Sequence, residues 1–441
     1  MKRVLFLSVF LINLFSSLTA QQYSVRGGSG IPLREVNDTQ YRIEVYMLYG
    51  LSDAQISFTS SNQGTHQWYR YRDNANNAVQ ISSNQDGNTS YITDIQDGYG
   101  YFVGSPTEEL PRYVWIVDYS LYVPHFFDFK VVEDEYKCTS LKIFTDAEAE
   151  PLYYYLPTGL RRNLDRIYNL QYDTQVWREN EKQFIIEEQN RKLNENQIYE
   201  ITIEPPPLIN TTFTLTGDQF AEHFGMQQAI RSEEYIAIAV EARYTVETDK
   251  EHADNELHNT GDALGGSAPI EYIFTAYANE PVAAFYSWKI SRRDSISEQM
   301  IDYAQHNDRT LRYNFEQDGF YRVELKVISR QPDCIDTTIY FDVIIDNTVI
   351  KIPNAFSPGS SIGVNDELKI AFSSIISFKA SVFNRWGNLL FQWSDPGKGW
   401  DGRVNGKFVP PGVYYVIVEY KDSNGKARTA SRAVNVLRAN N

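Results

Sequence analysis

Cysteine is scarce in this chain, and its scarcity constrains the fold. Only two cysteines, Cys138 and Cys334, occur among 441 residues, which is too few for a compact disulfide scaffold. Each lies eight residues after a lysine in a strand-like run, KVVEDEYKC in one case and KVISRQPDC in the other. Because matching positions in separate modules argue against a mutual bond, we expect the two thiols to stay unpaired, with a bridge as the alternative.

Positive charge and long apolar runs are also in short supply. The formal net charge is -16, which repels nucleic-acid phosphates and anionic lipid head groups. We therefore expect no nucleic acid among the partners. After the N-terminal apolar run, no segment approaches the roughly 20 apolar residues that a transmembrane helix needs. The sequence accordingly predicts no transmembrane segment once a signal peptide is removed.

Motifs of known catalytic centres are missing. The chain has no HExxH motif, and Ser29 in the GGSG stretch lacks the glycine spacing of a nucleophile elbow. One acidic stretch could in principle gather a metal; its candidate ligands are His252, Asp254, Glu256, His258 and Asp262. Their spacing matches no helical ligand pair and is more typical of a solvated loop. We therefore expect no enzyme, no metal site and no cofactor.

Aromatic residues are abundant and point to strands. They make up 14% of the chain, with 31 Tyr and 24 Phe, and together with many Val, Ile and Thr they favour β structure over helix. A chain of this length exceeds what one core usually organises. The prediction is an all-β protein made of tandem immunoglobulin-like β-sandwich modules that ends in a small β-sandwich.

The segment 350–441 carries the most specific motifs. It reads IKIPNAFSPGSS, then SVFNRWGNLLF, then GWDGRVNGKFVPPGVYYVIVEY, with Asn-Gly and Pro-Gly turns between short β-prone runs. This order of motifs resembles the gliding-motility-associated (type B) C-terminal sorting domain of the Bacteroidetes type IX secretion system. The chain departs from the family in the loop 358–363, where acidic residues usual in the family are missing, and we expect no cation site there.

The resemblance implies which residues the secretion machinery would read. The candidates are the two turn motifs, Asn384, Arg385, Trp386, Gly387 and Asn388 in the first and Trp400, Asp401 and Gly402 in the second. For Trp386 and Trp400 we favour core packing beside a turn, with partner recognition as the alternative. The resemblance also implies two partners, the type IX secretion machinery and an outer-membrane β-barrel protein.

The N-terminus has the pattern of a signal peptide. Met1–Arg3 is basic, Val4–Phe15 is apolar, and small residues lead to Ala20. We place the cleavage between Ala20 and Gln21. Both ends of the chain therefore predict an exported protein at the cell surface or associated with the outer membrane.

The middle of the chain contains a partial repeat. Trp68 precedes an Asp-Gly pair at Asp97, and Trp288 precedes another at Asp318, each by about 30 residues. In immunoglobulin-like sandwiches such a tryptophan fills the core, and a tyrosine after the corner bonds back to it; Tyr101 and Tyr321 suit that role. The second copy resembles a PKD-type domain. We expect a signal peptide at 1–20 and modules at 21–133, 134–231, 232–346 and 347–441, joined by polar connections.

Three further segments have individual predictions. The charged stretch Trp177–Asn194 could form a short helix, and 247–266 is expected to be a mobile loop. Tyr153, Tyr154 and Tyr155 must alternate between the two faces of a strand. We favour packing between modules for this cluster and keep a protein interface and glycan stacking as alternatives.

These observations predict a non-enzymatic exported structural or interaction protein. Its C-terminal module would dock to the secretion or gliding apparatus. The alternative is a surface adhesin that binds host protein or glycan, with the C-terminal module as an export signal only.

Overall fold

The computed structural model describes residues 22–60, 64–104, 111–132, 137–258, 264–331, 334–360 and 363–437. The expected signal peptide lies outside these residues. The all-β prediction is confirmed, because the described chain consists of β-sheets and contains one short α-helix and three 3₁₀ turns. Among the described residues, no helix is long and apolar enough to span a membrane.

The first module is a sandwich of a four-stranded and a six-stranded sheet, ordered β1-β4-β8-β7 and β2-β3-β10-β9-β5-β6. Its strands are β1 (Gln22–Arg26), β2 (Leu33–Asp38), β3 (Ile43–Leu48), β4 (Gln55–Thr59), β5 (Gln67–Tyr71), β6 (Val79–Ile81), β7 (Asn84–Asp86), β8 (Thr89–Ile92), β9 (Tyr99–Gly104) and β10 (Tyr113–Asp118). The strand β10 is apolar at successive positions because both of its faces are buried.

The second module has sheets ordered β11-β12-β17 and β16-β15-β18-β19, with a small β13-β14 hairpin. Its elements are β11 (His125–Val132), β12 (Leu141–Glu148), β13 (Tyr153–Tyr155), β14 (Arg161–Asn163), β15 (Ile167–Arg178), β16 (Gln183–Asn194), β17 (Glu200–Ile203), β18 (Thr214–Thr216), α1 (Gln219–His223) and β19 (Ala229–Arg231). Its core includes Ile143, Tyr168 and Phe213.

The third module packs the sheet β20-β22-β25 against the sheet β21-β27-β26-β23-β24. Its strands are β20 (Ala242–Glu247), β21 (Leu264–Gly266), β22 (Ile270–Ala278), β23 (Ala283–Arg293), β24 (Met300–His306), β25 (Thr310–Phe315), β26 (Gly319–Ser329) and β27 (Ile335–Ile345). This arrangement is immunoglobulin-like; the finer PKD resemblance stays a prediction.

The C-terminal module is built on the five-stranded sheet β29-β38-β37-β32-β33, with short pairs β28-β31, β30-β34 and β35-β36. Its strands are β28 (Val349–Lys351), β29 (Ala355–Phe356), β30 (Leu368–Lys369), β31 (Ala371–Ser373), β32 (Ile375–Phe383), β33 (Leu389–Trp393), β34 (Gly399–Trp400), β35 (Arg403–Val404), β36 (Lys407–Phe408), β37 (Gly412–Asp422) and β38 (Ala427–Val436).

The repeated tryptophan and Asp-Gly corner occupy corresponding places in the first and third modules. Trp68 and Trp288 are both fully buried. The Tyr321 hydroxyl donates a hydrogen bond to the Gln317 carbonyl over 3.0 Å, and the Tyr101 hydroxyl accepts one from the backbone N–H of Gln96 over 2.7 Å. The corner interpretation is therefore correct for both tyrosines, although the two hydrogen bonds run in opposite directions.

Two predictions about the second module are wrong. The stretch Trp177–Asn194 is the end of β15 and the whole of β16, paired antiparallel over twelve positions. Side-chain burial along β16 alternates from Ile185 to Gln189, which is the period of a strand and not of a helix. The expected boundary at 133 also falls too late, because β11 pairs with β12 and so belongs to the second module.

The expectation of unpaired thiols is wrong as well, since Cys138 and Cys334 form a disulfide. Their similar local sequences occupy different places in the two folds. Cys138 lies between β11 and β12, the first two strands of its module, whereas Cys334 immediately precedes β27, the last strand of the third module. The modules lie side by side, with Val282 of the third inserted in the core of the second, and this brings the two cysteines together.

The junction between the first two modules is buried and polar. The Arg166 and Asp218 side chains are both 0% exposed, and Arg166 Nη1 lies 2.8 Å from Asp218 Oδ2. Asp218 Oδ1 accepts hydrogen bonds from the Tyr119 hydroxyl and from the first backbone N–H groups of α1. Arg166 Nη2 donates to the carbonyl of Tyr122 over 2.8 Å. The junction is therefore a packed interface and not a free polar linker.

The third and C-terminal modules are joined in a similar way. Only Asp346–Thr348 separates β27 from β28. The backbone N–H of Ala268 donates to Ser374 Oγ over 2.9 Å, and the N–H of Ser374 donates to Ser267 Oγ over 2.8 Å. Both serines are fully buried. The C-terminal module is thus mounted on its neighbour through reciprocal hydrogen bonds.

The segment 247–266 was expected to be a mobile loop, but its described part packs against the C-terminal module and contributes to this junction. Leu264–Gly266 is β21, which pairs parallel with β27. The Asn255 side-chain amide donates to the carbonyls of Ile370 and Pro396, and the N–H of Leu257 donates to the Phe372 carbonyl over 2.7 Å. These contacts pin the segment against the C-terminal module.

Candidate docking surface of the C-terminal module

The turn 384–388 connects β32 to β33 and is ordered by Asn384. Its Oδ1 accepts hydrogen bonds from the backbone N–H of Trp386 and of Asn388, both at 3.0 Å. The N–H of Gly387 donates to the Asn384 carbonyl, and the N–H of Asn384 donates to the Asn388 carbonyl. Gly387 has φ 82°, a conformation that glycine adopts without steric cost. The turn therefore holds its side chains in a fixed arrangement.

Trp386 projects from this turn into solvent. Its side chain is 70% exposed, so the favoured prediction of core packing is wrong for this residue. The Arg385 guanidinium lies over the indole ring, 4.3 Å from its centroid, in a cation–π contact. The two side chains form one exposed pair.

Trp400 behaves in the opposite way. It is 0% exposed, and its Nε1 donates to the Arg403 carbonyl over 2.9 Å. Asp401 Oδ1 accepts the N–H of Arg403 within the same turn, and a Cβ at Gly402 would lie 2.8 Å from the Pro358 ring. Core packing is therefore correct for Trp400, and this second motif closes the core.

An apolar sheet face adjoins the exposed pair, and sequence reasoning did not identify it. Val413, Tyr415 and Ile417 alternate along β37 with buried neighbours, and Tyr415 is 47% exposed. Phe383 on β32 pairs with both Tyr415 and Leu389, and this links the face to the turn. We call Phe383, Arg385, Trp386, Leu389, Val413, Tyr415 and Ile417 the docking face. The sequence carried a signal for this face, because β37 is apolar at both odd and even positions and a strand apolar on both sides leaves one apolar side uncovered when only the other is buried.

A groove lies on the docking face itself. Its lining includes Phe383, Arg385, Tyr415 and Ile417, together with Ser431 and Ala433 of β38. Ser431 and Ala433 pair with Ile417 and Tyr415, so their side chains share this side of the sheet. The groove thus combines apolar surface with the Arg385 guanidinium, a composition typical of protein interfaces.

The core beneath the face contains a third tyrosine corner. Tyr414 is buried and its hydroxyl donates to the Pro410 carbonyl over 2.9 Å, the same four-residue return that Tyr321 makes in the third module. Burial raises the pKa of Tyr414 above its usual value, so the hydroxyl remains a hydrogen-bond donor throughout the physiological range. This third corner was also missed in the sequence.

The tyrosine cluster at 153–155 lies at the junction of the first two modules. Tyr154 is buried in the apolar cluster that the two modules share, and the Tyr155 ring lies 6.0 Å from that of Trp115. Tyr153 is partly exposed, with the Arg161 guanidinium 4.1 Å from its ring centroid. Only one of the three rings therefore offers much surface to solvent.

The side chains of the acidic, histidine-bearing stretch contact one another. The rings of His252 and His258 stack with centroids 4.2 Å apart. Glu256 Oε1 lies 2.7 Å from Lys250 Nζ, and Glu256 Oε2 lies 3.2 Å from His252 Nδ1. Burial alone would raise the pKa of Glu256, but hydrogen bonds from Lys250, Ser267 and His252 outweigh it and lower that pKa. Across the described residues, no three His, Cys, Asp or Glu side chains gather as metal ligands; Asp262 lies outside them.

Comparison with known proteins identifies two segments. A family model for the fibronectin type III domain matches residues 130–232, and a model for the CHU_C type IX secretion signal domain matches residues 350–433. No curated protein matches the chain.

Solved structures give only a general likeness. Trypsin-activated α2-macroglobulin from Escherichia coli aligns with 9% identity and a TM-score of 0.19, covering 94% of this chain and 31% of that one. The four N-terminal immunoglobulin domains of Dscam1 isoform 8.4 align with 10% identity and a TM-score of 0.21, covering 92% of this chain and 99% of that one. Three N-terminal domains of the bacteriophage RB49 capsid protein Hoc align with 8% identity and a TM-score of 0.20, covering 70% of this chain and 99% of that one.

The two family matches fit the observed modules. The first corresponds to the second sandwich and the second to the C-terminal sheet with its two turn motifs. The chain therefore carries a fibronectin type III domain and a C-terminal type IX secretion signal domain, and that signal indicates export to a cell-surface or outer-membrane-associated location.

Proposed function

We propose that this chain is a non-enzymatic structural or interaction protein that docks to the type IX secretion or gliding apparatus through the docking face. The partner in this proposal is an outer-membrane β-barrel protein of the machinery. The observation that carries it is the solvent-exposed Arg385–Trp386 pair, held on an ordered turn at the edge of an exposed apolar sheet face.

The residue types and their rigidity support a docking role. Trp, Tyr and Arg supply most of the binding energy in typical protein interfaces, and a truncated central residue of this kind costs about 2 kcal/mol or more. Because Asn384 already fixes the turn, little conformational entropy would be lost on binding. Within the secretion signal domain the docking face is therefore the surface best suited to recognition.

A non-enzymatic role agrees with the composition of the chain. Fibronectin type III and secretion signal domains are typical of proteins without catalytic activity. The adhesin alternative finds no support at the tyrosine cluster, because Tyr154 and Tyr155 lie against the first module. We favour docking because the exposed Arg385–Trp386 pair lies within the secretion signal domain itself.

The experiment compares two variants of the C-terminal module in the native host. Arg385→Ala combined with Trp386→Ala should leave the thermal midpoint nearly unchanged, because neither side chain enters the core, but should strongly reduce surface yield and capture of the barrel partner. As a control, Ile376→Ala removes another apolar side chain, 53% exposed, at the opposite end of β32. This variant should change neither the surface yield nor the capture of the barrel partner. If the double variant is stable and reaches the surface at the wild-type level, the docking face is not the recognition site.

A further inference from the structure

The disulfide between Cys138 and Cys334 joins two modules across a sequence separation of 196 residues. Cys138 follows the first strand of the second module, and Cys334 precedes the last strand of the third. The bridge therefore encloses almost all of both modules. In an oxidising compartment such a bond persists.

Close packing already holds these two modules together without the bridge. Val282 and Val240 of the third module pack against the core of the second. The buried Asn279 amide donates to the carbonyls of Leu208 and Ala239, both at 2.9 Å, and the Trp177 ring lies 5.2 Å from that of Tyr277. What the disulfide adds is a covalent path between the modules.

We propose that this bridge is a mechanical shortcut that shields residues 139–333 from tension. Force applied between the two ends of the chain runs along β11 to Cys138, crosses the sulfur–sulfur bond to Cys334, and continues along β27 into the C-terminal module. The enclosed segment lies outside this path. The shielding follows from the connectivity of the disulfide alone. A use for it in the cell rests on the proposed function, because tension arises when the protein is docked through its C-terminal module and pulled at its N-terminal side.

The length protected in this way is large. An extended chain spans about 3.3–3.6 Å per residue, so the enclosed 196 residue steps correspond to roughly 650–700 Å of chain that cannot be pulled out while the bridge is intact. The first module and the C-terminal module contain no bridge in their described residues and would extend fully.

Two strands of the enclosed modules remain in the force path. The strand β11 lies at the edge of its sheet and is paired only with β12. The strand β27 is paired on both sides, with β26 and β21. We expect β11 to detach at lower force than β27, because fewer backbone hydrogen bonds hold it.

The test is single-molecule pulling of the mature chain by handles at its two ends, with no secretion machinery present. The summed contour-length gain of the oxidised protein should be roughly 650–700 Å shorter than that of the same protein after reduction with dithiothreitol. The Cys138→Ser and Cys334→Ser double variant should match the reduced protein under either condition.

Two results would overturn the proposal. One is an equal contour-length gain with and without reductant, and the other is the presence of two free thiols in protein recovered from the cell surface. Reduction of the wild-type protein during pulling keeps the test decisive if the double variant misfolds. Since the measurement involves no partner, its outcome is independent of whether the docking face binds the secretion apparatus.

Discussion

Arg166→Met should destabilise the unit formed by the first two modules by about 3–5 kcal/mol, the usual cost of removing one partner of a buried ion pair. Asp218 would stay fully buried without its cation, although it would keep the Tyr119 hydroxyl and the N–H groups of α1 as donors. Arg166 Nε itself has no hydrogen-bond partner, which places the expected loss toward the lower end of that range.

Adding Asp218→Asn should recover part of the loss. Asparagine still accepts the hydrogen bonds that cap α1, and it removes the uncompensated negative charge. As a control, Arg34→Met breaks a surface ion pair in the first module, where Arg34 and Glu44 are 3.7 Å apart and the arginine is half exposed. Exposed pairs of this kind contribute about 0–1 kcal/mol.

Differential scanning calorimetry of the whole mature chain measures these effects. For a cooperative unit of this size, a loss of 3–5 kcal/mol lowers the midpoint by about 6–20 °C. The third module shares core contacts and a disulfide with the second, so its transition is expected to shift with them, and the transition of the C-terminal module serves as the internal reference. A loss below about 1 kcal/mol for Arg166→Met, or a double variant less stable than the single one, would refute this account of the junction.

Three further predictions concern the other modules. Trp400→Ala should cost about 3–5 kcal/mol, because it empties a fully buried site, and should reduce surface yield by unfolding the C-terminal module, as circular dichroism would show. Tyr321→Phe removes the hydrogen bond to the corner carbonyl and should cost about 0.5–1.5 kcal/mol in urea unfolding, whereas Tyr303→Phe, on an exposed ring, should cost almost nothing. The lowered pKa of Glu256 means that its carboxylate stabilises the fold above the usual carboxyl pKa and stops doing so as the pH falls through the folded-state pKa. Glu256→Gln should therefore lower the neutral-pH midpoint and make the midpoint less sensitive to acid; a variant with the wild-type acid profile would contradict this.

Much of the fold could be predicted because the relevant signals are local. Runs of β-branched and aromatic residues between Asn-Gly and Pro-Gly turns predicted the short strands of the C-terminal segment, among them β37. The tyrosine corners at Tyr101 and Tyr321 were also predictable, since each depends on a turn and a tyrosine only four or five residues apart. Such features need no knowledge of how the modules pack.

The failures depend on tertiary context. Trp386 and Trp400 each lie close to a turn glycine, yet one is exposed and the other buried, because burial depends on which neighbouring segments cover each turn. The pairing of Cys138 with Cys334 depends on the angle between two modules, about which their spacing in the sequence carries no information. The docking face likewise becomes visible only when the sheet shows which alternate positions of β37 remain uncovered.

The two Asp-Gly corners have a use beyond their own modules. Asp97 accepts hydrogen bonds from the backbone N–H of Asp118 over 2.8 Å and from the Tyr122 hydroxyl over 2.7 Å, where the chain leaves the first module. Asp318 accepts them from the side chains of Ser423 and Asn424 in the C-terminal module. Each corner therefore ties its module to the next part of the chain.

This predicts that Asp318→Ala loosens the mount of the C-terminal module. The variant leaves the Ser423 hydroxyl and the Asn424 amide without their acceptor, and because Asp318 is partly exposed we expect a cost of about 1–2 kcal/mol. Limited proteolysis should then cut the linker Asp346–Thr348 several-fold faster than in the wild type. Asp308→Ala, at an exposed turn between β24 and β25 of the same module, should leave the rate unchanged. Equal cutting rates in all three proteins would mean that the other contacts of the junction, those of Ser267, Ser374 and Asn255, hold it without Asp318.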